Sequence, residues 1–166
     1  MTLIFVDCEA FGGCPGTGRL TWFGAVTQSR ETFSGLIIKS RADPKNPTQS
    51  ETVKLNDNEY YNLSKPIFLE FEAWLTQIRG NGGVSMISDN PAYDFMWIAD
   101  GFWRAIGRNP FGHSARRIGD FYAGLTNDFR STQKWKRLRI TRHDHNPVND
   151  AIGNLEAFER ILGGER

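Results

Sequence analysis

The sequence predicts a mixed α/β sheet with helices packed on its faces. Three observations carry this. A short apolar run opens the chain, two more strand-like segments follow it around a tight turn, and from Pro66 onward apolar residues recur at helical spacing, interrupted by one further short strand.

Taken in order, residues 3–8 read as a buried strand built on Leu3-Ile4-Phe5-Val6. Arg19 to Gln28 and Thr32 to Ile38 read as two more strands, with Ser29-Arg30-Glu31 as their hairpin turn, so the chain begins as a three-stranded meander. From Ala42 to Ser64 it is rich in Pro, Asn, Asp and Ser and is expected to be mostly loop. Pro66 suits the first turn of a helix that runs to Arg79 on Ile67, Phe68, Phe71, Trp74, Leu75 and Ile78, and the Gly80-Asn81-Gly82-Gly83 run stops it. Val84 to Ser88 is a fourth strand. Helices are expected over Ala92–Ile106, about Ser114–Leu125 and Val148–Leu162, the last capped by Asn146 or Asn149.

A chain of 166 residues with 39% hydrophobic content, five Trp and twelve Phe is expected to fold as one globular domain over 1–166. The opening apolar run is too short for a signal peptide or a membrane span, so a cytoplasmic protein without membrane contact is expected. Cys8 and Cys14 lack a second Cys/His pair nearby and read as reduced thiols, not zinc ligands. The net charge of +1 hides a split. Ten basic residues lie between Arg104 and Arg142 against only Asp120 and Asp128, a surplus of eight, so the remainder carries about −7. An acidic pole beside a basic flank suits a phosphate-backbone substrate, although a solvated helix face with a basic loop would look the same.

The acidic residues near predicted strand ends and helix starts are Asp7 and Glu9, then Asp94, then Asp150. Alternation along a strand puts Asp7 and Glu9 on one side, with Cys8 between them. Carboxylates gathered from distant segments suit hard divalent cations, and a pair of such ions can clamp the attacking and leaving oxygens of a phosphoryl displacement. In that reading Asp7 bridges two ions, Glu9 and Asp150 complete one ion's shell, and Asp94 holds the other. His145 is the general base that takes a proton from the attacking water. Each element alone is common in structures with no such role; their order and placement make the set specific.

The segments Phe5-Val6-Asp7-Cys8-Glu9, Asn90-Pro91-Ala92-Tyr93-Asp94-Phe95 and His145-Asn146-Pro147-Val148-Asn149-Asp150-Ala151 resemble the three exonuclease motifs of the DEDD superfamily. Four residues separate His145 from Asp150, as in its DEDDh branch. The resemblance spans nearly the whole chain, and the small size is similar to ribonuclease AS and phage DexA-type exonucleases. It implies a ribonuclease-H-like fold, in which an antiparallel meander joins parallel strands in a mixed sheet flanked by helices. It also implies two Mg²⁺ or Mn²⁺ ions and 3′-to-5′ release of nucleoside monophosphates from single-stranded nucleic acid, RNA favoured. Position by position, Asp7, Glu9, Asp94 and Asp150 match the metal ligands and His145 the base.

Departures from the family pattern are the glycine-rich Gly12-Gly13-Cys14-Pro15-Gly16, expected to form a rim for the 3′ nucleotide, and Pro147, where alanine is frequent. Asp89 and Asp144 are spare acids read as caps or as supports of motif residues, His113 as structural. His143 competes with His145, but six residues separate it from Asp150. Substrate contacts are expected from Phe11, Gly12, Asn90 and Trp135, the last an aromatic inside the basic run. Trp22, Trp74, Trp97 and Trp103 are expected in the core, and Arg116 and Arg117 either meet phosphate or sit on a helix surface. An oligoribonuclease-like enzyme for very short RNAs and a non-catalytic nucleic-acid-binding module are the alternatives, and a homodimer is left open.

Overall fold

The structure, a computed structural model, describes residues 1–38 and 55–165. The strands are β1 (Thr2–Phe11), β2 (Arg19–Thr27), β3 (Thr32–Leu36), β4 (Val84–Ser88) and β5 (Arg116–Arg117). They form one sheet in the order β3-β2-β1-β4-β5. β1 pairs antiparallel with β2, and β2 with β3, whereas β1–β4 and β4–β5 are parallel. The helices are α1 (Asp57–Arg79), α2 (Pro91–Ile106), α3 (Ile118–Thr126) and α4 (Pro147–Leu162), with two 3₁₀ turns, Phe129–Ser131 and Lys134–Leu138, between α3 and α4. This is the ribonuclease-H-like mixed sheet with flanking helices.

Two apolar layers hold it. On one face Ile4, Val6 and Cys8 of β1 pack with Phe68, Phe71 and Leu75 of α1 and with Trp97, Ile98 and Phe102 of α2. On the other, Phe5 packs with Ile118 and Tyr122 of α3, Trp135 and Leu138 of the second 3₁₀ turn, and Ala151 and Leu155 of α4. Side chains of a strand alternate between faces, so Asp7 and Glu9 continue the row of Phe5 and lie on the α4 side.

Several boundaries differ from the sequence expectation. α1 begins at Asp57, not near Pro66, because Asn56 and Glu59 form a reciprocal capping box that outweighs the polar composition of residues 57–64. Pro66 is therefore interior, where it lacks the amide to bond the carbonyl four residues back. The part of the expected loop between 42 and 54 lies outside the described residues. The helix expected from Ser114 starts at Ile118, since Arg116 and Arg117 pair with Ile87 and Ser88 as an edge strand. β1 continues to Phe11, carrying both Asp7 and Glu9 within the strand. The hairpin turn is as expected, with Arg30 in the left-handed region at φ 68°. Trp97 is buried as expected, but Trp103 on α2 is 51% exposed, its helix position turning it away from the sheet.

Candidate active site

The site forms where the parallel strands end. β1 and β4 pair only as far as Phe5 with Ile87, so Asp7 and Glu9 run past the end of β4 into the opening where α2 begins. Crevices outside the carboxyl ends of parallel strands are where open α/β sheets bind ligands. A bulge between Glu9 and Ala10 then redirects the strand toward the glycine-rich rim.

α4 supplies the third carboxylate. Asn146 caps it, its side-chain oxygen accepting from the amides of Val148 and Asn149, and Pro147 occupies the first helical position. Asp150 therefore lies in the first turn and is almost fully buried. Helix and sheet can meet closely because Gly24, the partner of Asp7 on β2, has no side chain. A Cβ there would collide with the backbone of Pro147 and Val148.

Each of Asp7, Glu9 and Asp150 offers an oxygen within 4.8 Å of those of the other two. Asp94 stands outside this trio, buried in the first turn of α2, where its backbone amide bonds the Asn90 carbonyl at 3.0 Å and its own carbonyl faces the Cys8 thiol at 3.8 Å. Burial pushes the Asp7 carboxyl up to about 9, with Asp94, Asp150, Asp89 and Glu9 adding repulsion. Burial raises Asp94 to about 7, and Asp89 adds to it. Glu9 is also raised by burial, against the lowering pull of His145. Anionic oxygens crowded this closely are unfavourable alone and fit a divalent cation. Asp150 Oδ2 fits the same account: it is buried without an aligned hydrogen bond, although His143 Nδ1 approaches to 2.7 Å. Asp150 Oδ1 accepts from the amide of Asp144 at 3.2 Å.

The two histidines divide the cluster. His145 Nδ1 lies 3.3 Å from Glu9 Oε1, and His143 faces Asp150, their rings meeting edge-on at 4.4 Å between centroids. His145 is exposed and has φ 62°, a left-handed conformation that a non-glycine residue adopts only when its surroundings hold it. Asp144 is the local brace: its carboxylate accepts from the Asn146 amide and from Asn149 Nδ2.

The expected substrate contacts fare unequally. Phe11 ends β1 at the rim, partly buried and outside both apolar layers, and Gly12 beside it takes φ 85°. Asn90 is exposed at the start of α2 with its side chain not used as a cap. Trp135 is a correction. It is 0% exposed, its indole donates to the Thr132 carbonyl and Arg139 covers its ring, so no base can stack on it. A basic run with one aromatic looks the same whether that ring faces solvent or seals the core. His113 is exposed and apart from the cluster. Arg116 reaches the Ser85 hydroxyl, and Arg117 donates to the Asp89 carbonyl and pairs with Asp120. Both cysteines are free. Among the described residues no helix is long and apolar enough to cross a membrane.

One connection had no sequence signal. Arg139 donates to Asp89 Oδ2 at 3.2 Å and to Asn154 Oδ1 at 2.5 Å, tying the segment before Asp94 to the helix bearing Asp150. Lys136 joins Asp89 at 2.7 Å.

A ribonuclease-H-like sheet with acids gathered at the end of its first strand defines a class, and known proteins of similar sequence and fold agree with it. No known family pattern matches the chain. Its sequence is similar to the 3′-5′ DNA exonuclease Cap18 of Escherichia coli, 24% identical over 169 residues that cover 95% of this chain and 90% of the relative. Its fold is similar to a full-length 3′-exonuclease, at TM-score 0.58 and 12% identity, over 98% of this chain and 82% of that one. It is also similar to a zinc-bound complex of E. coli ExoI with ssDNA, at TM-score 0.53 and 15% identity, over 97% of this chain and 39% of ExoI. The relative similar in sequence is a 3′-5′ DNA exonuclease, and the likeness to the two solved structures, at 12% and 15% identity, is one of fold.

Proposed function

We propose that this chain is a DEDDh-type 3′-5′ exonuclease that hydrolyses single-stranded nucleic acid to nucleoside 5′-monophosphates, with 1–166 acting as one catalytic domain. The observation that carries it is the convergence of Asp7, Glu9 and Asp150 within 4.8 Å, beside His145, on an exonuclease fold. Asp7, Glu9 and Asp150 would hold one Mg²⁺ or Mn²⁺ ion, and Asp94 with Asp7 a second. When bound, such ions stabilise the charge that develops on the phosphoryl group and on the leaving oxygen.

The protein's own groups handle position and protons. Phe11 and the Gly12 rim receive the terminal nucleotide, together with Asn90 at the start of α2. Glu9 engages His145 Nδ1, which leaves Nε2 to take the proton from the attacking water. The water oxygen bonds to phosphorus, the bond from phosphorus to the 3′-oxygen breaks, and solvent protonates that oxygen. A mononucleotide leaves, and the strand ends in a new 3′-hydroxyl.

Two of the three named proteins are a DNA exonuclease and an enzyme seen with ssDNA, so single-stranded DNA is the first substrate to test against the RNA expected from sequence. Matched DNA and RNA strands labelled at the 5′ end, digested with and without Mg²⁺, decide both points. A ladder shortening from the 3′ end only with the ion supports the reading. Binding without cleavage in either Mg²⁺ or Mn²⁺ would leave a non-catalytic binding module.

A further inference from the structure

Beside the carboxylates lies a groove of about 470 Å³ lined by Asp89, Lys136, Arg137, Arg139, Thr141, Arg142 and His143. It is continuous with the site, because His143 both lines it and sits 2.7 Å from Asp150 Oδ2. Four cations face one carboxylate there, yet they are not equivalent. Lys136 and Arg139 are both spent on Asp89, at 2.7 and 3.2 Å, and Arg139 is further fixed by Asn154 and by the Trp135 ring. Arg137 and Arg142 are exposed, and neither makes an ion pair among the described residues; Arg137 only reaches the Tyr122 hydroxyl at 3.5 Å.

We propose that Arg137 and Arg142 bind backbone phosphates of the substrate strand on the 5′ side of the scissile bond, in this groove leading away from Asp150. The proposal rests on the exonuclease reading and adds to it where the strand runs and which groups hold it. Guanidinium forks match phosphate oxygens, and a strand with its 3′ end at the carboxylates must leave by an adjoining channel. Asp89 does not oppose this, since Lys136 and Arg139 neutralise it and its role is to order the groove wall. The remaining basic residues of the same run point elsewhere: Lys134 pairs with Asp128, and Arg130 lies outside the groove.

The test is binding of a 5′-fluorescein dT12 strand without divalent ions, with Mg²⁺-dependent cleavage followed in parallel. Arg137→Ala with Arg142→Ala should weaken binding at least tenfold at low salt. It should also flatten the dependence of log affinity on log salt by about 1.4, at about 0.7 per phosphate contact on a single strand. Arg137→Lys with Arg142→Lys should recover the salt slope, and thermal melting shows whether each variant is folded. The charge-matched pair Arg130→Ala with Lys134→Ala should bind as the wild type does. Equal weakening by the two alanine pairs, or unchanged binding in Arg137→Ala/Arg142→Ala while the wild type binds and cleaves, overturns the groove and leaves the exonuclease reading standing. A wild type that neither binds nor cleaves overturns both.

Discussion

At Asp7 burial, reinforced by Asp94, Asp150, Asp89 and Glu9 close by, makes the carboxyl keep its proton to about pH 9. An unfolded aspartate gives up that proton near 4. Between those values the folded chain binds more protons than the unfolded one, so its stability falls as pH rises across that window. In a chelator, Tm is accordingly expected to drop between pH 5 and pH 9, and Asp7→Asn to flatten the drop and raise Tm at pH 8. Each kcal/mol of relieved protonation cost corresponds to about 2–4 °C for a chain of this size. The same variant should abolish cleavage. Thermal melts at stepped pH, with and without Mn²⁺, check both effects, and a Tm at pH 8 below wild type would contradict a carboxyl held protonated by its burial. His145 differs, being exposed and, among the described residues, hydrogen-bonded through its side chain only to Glu9. His145→Ala is expected to lower turnover by about 10²–10⁴ while keeping the Mn²⁺-induced rise in Tm; loss of both would make it structural. His143→Ala is the companion measurement, because the sequence separated the two histidines by spacing whereas the fold sets both against the acids.

Among the elements, α4 decides whether the site exists. Its apolar face packs on Phe5 and Val26, and its first turn meets β2 over Gly24. Gly24→Ala would drive a methyl into the backbone of Pro147 and Val148, a displacement expected to cost about 1–3 kcal/mol and to move Asp150 off Asp7. Cleavage should fall together with Tm, and recovery of full activity at low temperature would show that the close approach is not needed. The start of α1 offers a contrast remote from the chemistry. Asn56→Ala removes the capping box and should cost about 1 kcal/mol, read as a lower Tm with turnover unchanged per folded molecule. Both features escaped the sequence reading for physical reasons. A glycine in a strand does not reveal which backbone will approach it, and polar residues that form a cap have the composition of a loop until the first turn closes.

For the whole molecule, charge is distributed by pairing more than by count. The surplus of eight between Arg104 and Arg142 suggested a continuous basic flank. Instead, Arg104 is paired with Asp100, Arg108 with Glu72, Arg117 with Asp120 and Lys134 with Asp128, while Lys136 and Arg139 lock Asp89. What faces the active site is a narrower basic groove. Exposed pairs of this kind each contribute about 0–1 kcal/mol, so their consequence is to select which cations stay available for a phosphate.

By itself, the sequence determined the order of the four longer strands and the four helices, the face that Asp7 and Glu9 share, and the place of Asp150 in a first helical turn, because periodicity and capping act over a few residues. The tertiary structure decided what depends on distant segments meeting. It brought Asp150 across Gly24 to Asp7 and left Asp94 outside the trio. It sealed Trp135 in the core under Arg139, and it set His143 between the carboxylates and the basic groove. Burial and charge neutralisation belong to the packed whole, so the same residue types read along the chain leave those outcomes open.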